Sequence, residues 1–152
     1  KQLNPIRFFW KVVNATVIAL SKSPLHIILS NNVVVLHVEG KKTGKIYKIP
    51  VSFLELEPDK LCCVTDRENI WWKNLIGSQF SKTRFKGRLL DSTLTATIDN
   101  QDEIEEYLNA LCRHSRVDGL FAKVSYQNGE PVKQDIMTAA RKMVAITVSL
   151  QK

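Results

Sequence analysis

Gly40-Lys41-Lys42-Thr43-Gly44-Lys45-Ile46-Tyr47-Lys48-Ile49-Pro50-Val51 decides how the rest of the chain is read. Ahead of it runs an apolar stretch from Val33 to Glu39. Behind it Tyr47, Ile49, Val51 and Phe53 alternate with Lys48, Pro50 and Ser52, the period-2 pattern of a half-buried strand. The quoted stretch is therefore strand, glycine-bracketed turn, strand. It carries four lysines within eight residues. Gly40 and Gly44 permit positive φ, so successive N–H groups can converge on an anion, with Lys41, Lys42, Lys45 and Lys48 supplying charge and Thr43 a hydroxyl. The same residues also suit a solvated hairpin whose lysines guard an exposed sheet edge, and spacing alone does not choose between the two.

The strand pattern covers Lys45 to Leu56 and recurs at Leu61 to Thr65, Lys82 to Lys86, Arg88 to Ile98 and Met143 to Leu150, with turns at Pro58-Asp59 and Lys86-Gly87. Trp71-Trp72-Lys73-Asn74-Leu75 falls in a helix that starts at Glu68 or Asn69, runs to about Ile76 and ends at Gly77. Asn100 caps a longer helix, with Glu103 three residues on as a capping box, continuing to about His114. Gln127-Asn128-Gly129-Glu130-Pro131 reads as a polar loop, and Gln134 to Lys142 as a last short helix. Several antiparallel strands at short intervals with few helices predict a mainly β, α+β fold, a small barrel with flanking helices.

Residues 1–32 read as an N-terminal helical segment ahead of a barrel domain at 33–152. Ile6, Phe9, Trp10, Val13, Val17 and Leu20 recur at helical spacing between Pro5 and Ser21, and a second short piece runs from Ser23 to Leu29. The first helix either lies against the domain or, with Phe8, Phe9 and Trp10 clustered at its start, rests as a basic amphipathic helix on a membrane surface. Phe8 to Leu20 is too short, and too interrupted by Lys11, Asn14 and Thr16, to span a bilayer.

A chain of 152 residues, 44% hydrophobic and 24% charged, fits one ordinary globular domain. Its net charge of +7 attracts acidic small molecules, nucleic acid and anionic membrane alike. Cys62, Cys63 and Cys112 form no CxxC. The adjacent pair on a strand points to opposite faces, so reduced, core-filling thiols in the cytoplasm are expected. The acceptor pattern Asn14-Ala15-Thr16 is set aside because it lies within a helical pattern. His26, His37 and His114 show no metal-ligand spacing, and no nucleic-acid signature accompanies Trp71-Trp72.

Glycine, two basic residues, Thr43 and Gly44, then a basic residue and Pro50, then a hairpin and Trp71-x-x-Asn74-Leu75, in that order, resemble the deazaflavin-dependent nitroreductase family. These are split β-barrel oxidoreductases, related more distantly to FMN-binding pyridoxamine-phosphate oxidases. The resemblance is good from about Leu36 to Leu75 and continues to Leu150, where Arg141-Lys142-Met143 precedes the last strand much as a basic pair does in the family. It implies that Lys41, Lys42, Thr43, Gly44 and Lys48 contact an acidic phosphate tail. It further implies that Pro50 and Val51 lie beside the ring system, that Thr65 is the hydroxyl at the end of the next strand, and that Trp71 walls the pocket. Asn74 matches too, though an asparagine at a helix start is more often structural. The family's longer glycine- and proline-rich loop is here only Asp66-Arg67-Glu68-Asn69-Ile70, in which Arg67 stands for the family's basic residue.

The function implied is hydride transfer from a deazaflavin coenzyme (factor 420) or FMN to a small organic acceptor such as a quinone, an enone or a nitro compound. The ring supplies the chemistry, so no acid–base pair is required, and Tyr126 is a candidate proton donor only by its position in the family's substrate-side segment. A homodimer would complete the groove. The alternative is a non-catalytic barrel that binds an acidic ligand or a membrane surface, favoured by the short acidic loop and the aromatic first helix.

Overall fold

The computed structural model describes residues 33–151; the expectations for the N-terminal helices, Asn14 and His26 lie outside them. Seven strands form one antiparallel sheet: β1 (Val33–Glu39), β2 (Ile46–Ser52), β3 (Leu54–Glu57), β4 (Lys60–Asp66), β5 (Gln79–Phe85), β6 (Arg88–Thr97) and β9 (Met143–Gln151). Their order is β2-β1-β5-β6-β9-β4-β3. The sheet curls until β2, at one edge, meets β4 near the other, which makes a split β-barrel of the α+β class.

Period-2 alternation builds two cores from the same strands. Val144, Ile146, Val148 and Leu150 of β9 point into the barrel with Val34, Leu36 and Val38 of β1. Met143 and Ala145 point outward, under the helix α1 (Gln101–His114). Cys63 lies inside the barrel and Cys62 beneath α1, so the adjacent thiols do occupy opposite faces. All three cysteines are free and buried. Burial pushes the Cys62 and Cys112 thiols up to about 11 and Cys63 well above its ordinary value, so they are inert filling.

The expected strand from Lys45 to Leu56 is two strands. At Phe53 the chain changes partner, β2 pairing with β1 and β3 with β4. Phe53 turns inward there, its ring 5.5 Å from Phe85 at 73°, and this buried corner breaks the alternation. The expected helix around Trp71 is a five-residue 3₁₀ turn, Trp71–Leu75. Asn74 Nδ2 donates to Trp71 O within it, and Gly77 and Ser78 follow at φ 79° and 70°, so no α-helix propagates.

Helix α1 starts as expected, with Asn100 Oδ1 accepting from Glu103 N at 3.2 Å. Ile104, Tyr107, Leu108, Leu111 and Cys112 form its buried stripe. A helix the sequence did not announce, α2 (Arg116–Ala122), follows, and α3 (Lys133–Ala140) leads into β9. The supposed polar loop between them is a hairpin, β7 (Tyr126–Gln127) and β8 (Glu130–Pro131), closed by Asn128 and Gly129 at φ 53° and 79°. Two consecutive positive φ values are the primed turn that Asn-Gly favours.

Candidate functional site

The basic turn is a built structure. Gly40 N donates to Lys45 O and Gly44 N to Gly40 O, both at 2.8 Å, and Lys45 N donates to Thr43 Oγ1. Gly44 takes φ 70° with open space around it, a conformation that an anion cradle and a plain hairpin share. Gly40 does not take positive φ. It is needed for room, because a Cβ there would come within 2.7 Å of Thr43 Oγ1 and 3.1 Å of the Tyr47 ring.

Asn74 ties this turn to the tryptophans. Its Oδ1 accepts from Lys41 N at 3.0 Å while its Nδ2 donates to Trp71 O at 3.0 Å. Lys41 adds a second tie, its ammonium donating to Ile76 O at 2.7 Å. Lys41 is thus a fastening of the turn rather than a free cation. Lys42 and Lys45 are exposed, and the N–H groups of Lys42 and Thr43 have no partner among the described residues. Two ammonium groups and two open N–H groups on one rigid turn can receive an oxyanion.

The register sorts the remaining expected residues. Leu36 pairs with Ile49 and Val34 with Val51, so Ile49 and Val51 face the barrel interior, half-buried against its core, and Trp71 packs half-buried on the same core. Lys48 pairs with His37 on the opposite face, together with Pro50. A ring lying on Val51 therefore meets Pro50 and Lys48 only through their backbone or around the sheet edge. Thr65 is buried at the end of β4, its Oγ1 accepting from Asn69 Nδ2 at 3.0 Å.

Arg67 is placed elsewhere. Its Nε donates to Met143 O at 2.9 Å and its Nη2 to Ile98 O at 3.2 Å, while its own carbonyl accepts from the indole N–H of Trp72. It lines a cavity of about 670 Å³ with Asp66, Lys123, Arg141, Lys142 and Met143. Desolvation and the neighbouring Glu68 raise the Asp66 carboxyl, and Lys123 opposes them. Lys123 carried no signal in the sequence, because it follows an unexpected helix.

Tyr126 is a structural phenol. Its hydroxyl donates to Cys112 O at 2.7 Å in the last turn of α1, its ring lies 4.9 Å from the Arg116 guanidinium, and it packs on the Cα of Gly119. A second cavity, of about 640 Å³, lies between the β3–β4 hairpin and α1, lined by Glu57, Lys60, Asp102, Glu103, Glu106 and Tyr107 among others. No group of acidic, histidine and cysteine side chains among the described residues is arranged to hold a metal. None of the described helices is long and apolar enough to cross a membrane.

No family model matches the chain, and no curated protein matches it. Among solved structures, the FAD and heme binding protein from Mycobacterium smegmatis is similar, at 17% identity, over 86% of this chain and 68% of that one, with a TM-score of 0.45. The barrel assignment rests on the strand pairing, not on so distant a likeness.

Proposed function

We propose that the barrel binds a phosphorylated flavin-type cofactor, a deazaflavin coenzyme or FMN, and serves two-electron reduction of a small organic acceptor. The observation that carries this is the basic turn clamped by Asn74 and Lys41 onto the Trp71 turn. It joins an oxyanion cradle to the core on which Ile49, Val51 and Trp71 lie half-buried, and these three are taken as the apolar ledge of the site. The donor set suits a phosphate: open N–H groups at Lys42 and Thr43 and the ammonium groups of Lys42 and Lys45. The ledge suits the flat, apolar part of the same molecule, holding it and keeping water from one side.

The bound ring would supply the hydride. The chain's own task is to bind, orient and exclude water, which asks for no acid–base pair. Tyr126 has no part in this, since its hydroxyl is committed to Cys112 O.

The test is titration of the full chain with FMN and with the deazaflavin coenzyme, followed by quenching of tryptophan fluorescence. Micromolar binding of one of them is expected. Lys42→Glu with Lys45→Glu should weaken it at least about tenfold, since two attractions at the phosphate become repulsions. Both side chains are exposed, so thermal stability should be unchanged. Absence of binding to either cofactor refutes the reading and leaves the non-catalytic module. That alternative draws support from Lys41 and Arg67, whose donors are engaged by main-chain carbonyls.

A further inference from the structure

β1 ends, and β2, β5 and the Asp66–Ile70 loop begin, at the same end, whereas the chain climbs β2 and β3 to the Pro58-Asp59 turn at the other. The far end carries the cavity of Glu57, Lys60, Asp102, Glu103 and Glu106, and the exposed Lys86 and Arg88 of the β5–β6 turn, so its charge is mixed. The near end carries Lys41, Lys42, Lys45 and Lys73, with Lys123, Arg141 and Lys142 beside the mouth of the other cavity. Glu39, Asp66, Glu68 and Asp135 share this end and are outnumbered. The two ion pairs among the described residues, Lys82–Asp91 and Arg113–Glu130, use none of these cations.

Large apolar side chains stand out at this same end. Ile70 is 68% exposed, Phe80 64% and Ile46 53%, and Ile76 and Tyr47 are also exposed. The strand register and the Lys41 tie place them at this end. Ile46 pairs with Glu39, whose N–H and carbonyl are both bonded by the Gln79 side chain, so Phe80 lies on the far side of Glu39. Two strand spacings, about 10 Å, separate Ile46 from Phe80. Ile70 and Ile76 flank the Trp71–Leu75 turn, and Lys41 is fastened to Ile76 O. Solvated hairpin lysines need no such companions. Apolar studs among unpaired cations are what an anionic bilayer surface takes: the studs enter the headgroup boundary while the lysine stems lie along it, heads toward phosphate.

We infer that this end of the barrel docks on an anionic phospholipid surface, with Ile46, Ile70, Ile76 and Phe80 inserted and Lys42 and Lys45 on the headgroups. The inference shares Lys42 and Lys45 with the cradle, but its apolar anchors Ile70 and Phe80 belong to neither the cradle nor the ledge.

The experiment is co-sedimentation of the full chain with vesicles of phosphatidylcholine, with and without phosphatidylglycerol, at rising salt. Binding is expected only with phosphatidylglycerol, and it should fall as salt rises. Ile70→Asp with Phe80→Asp should weaken it at least about tenfold, and each of Lys42→Gln and Lys45→Gln about fivefold. Leu89→Asp, at the opposite end of the barrel, should leave it unchanged, and thermal denaturation reports that each variant is folded.

Full vesicle binding by the Ile70 and Phe80 double variant would put the attachment elsewhere in the chain and overturn the inference. So would a wild-type chain that ignores vesicles but is a dimer separated into monomers by those two substitutions, since the face would then belong to a second copy. Flavin titration of the double variant Ile70→Asp, Phe80→Asp keeps the readings apart, whereas the Lys42 and Lys45 variants should weaken both kinds of binding. Loss of vesicle binding with unchanged flavin affinity upholds this inference alone, and absence of flavin binding leaves it untouched.

Discussion

Replacing Asn74 by Ala removes both of its hydrogen bonds, to Lys41 N and Trp71 O at 3.0 Å each, and leaves the second tie from the Lys41 ammonium to Ile76 O. A net hydrogen bond contributes about 1 kcal/mol, and here water can reach the bond to Lys41 N, so the two together stabilise by about 1–2 kcal/mol. For a chain of this size that is a fall in Tm of about 3–6 °C. The more direct assay is hydrogen exchange at the Lys41 amide, whose partner in the fold is Asn74 Oδ1. Losing about 1 kcal/mol of local protection should speed its exchange about fivefold, while the amide of Ile146, deep in β9, changes only with global stability. Asn74→Asp keeps the acceptor for Lys41 N and loses the donor to Trp71 O, so it should preserve most of the Lys41 protection. Identical exchange of the Lys41 amide in wild type and Asn74→Ala would show that the tie does not form, and the rigid cradle would fall with it.

Three further outcomes test the surrounding fold. Gly119→Ala places a Cβ 2.2 Å from the Tyr126 hydroxyl and 2.8 Å from its ring, so the phenol must leave Cys112 O, at a cost of about 1–3 kcal/mol by denaturant unfolding; in a Tyr126→Leu background the cost should shrink. Thr83→Val strands the Ser92 hydroxyl, which it meets at 2.8 Å in a fully buried setting, costing about 1–3 kcal/mol, and adding Ser92→Ala should return much of the loss. Alkaline pH should destabilise through the thiols. Cys62 and Cys112 hold their protons to about 11 when folded against 9.0 when free, so above pH 9 the unfolded state binds fewer protons and stability falls. Between pH 8 and 10 the loss is about 1 kcal/mol per thiol, and Cys112→Ala should remove its share from a urea titration at the two pH values.

Elements governed by local rules were legible in the sequence. β1 spans Val33–Glu39 as its apolar run implied, and β9 and the Asn100 cap also agree, because alternation and capping are short-range. The opposed burial of Cys62 and Cys63 followed from pleat geometry alone. What was missed depended on tertiary partners. The break at Phe53 exists because the chain changes neighbours there, which no window of residues reveals. Helix α2 contains Gly119, a poor helix residue, and is tolerated where Tyr126 needs a bare Cα to rest on. The Asn128-Gly129 hairpin, by contrast, was announced by its dipeptide and overlooked because its strands are only two residues long.

In the candidate site the cations were visible as letters, but their division of labour was not. A lysine that donates to a neutral carbonyl keeps its full charge and loses only a free donor. Lys41, bonded to Ile76 O, therefore still contributes to the field that draws an anion in, while leaving the contact itself to Lys42 and Lys45. Arg67 does the same at the other side of the loop, holding Met143 O and Ile98 O while adding charge to the cavity of Lys123, Arg141 and Lys142. Two populations of cations follow, one that shapes the backbone and one that meets the ligand. They separate experimentally, since neutralising Lys41 should cost stability and salt-dependent attraction together, whereas neutralising Lys42 should cost attraction alone. If Lys41→Gln and Lys42→Gln behaved alike in both measurements, the fastening of the turn would have no energetic content and the cradle would be an ordinary solvated hairpin.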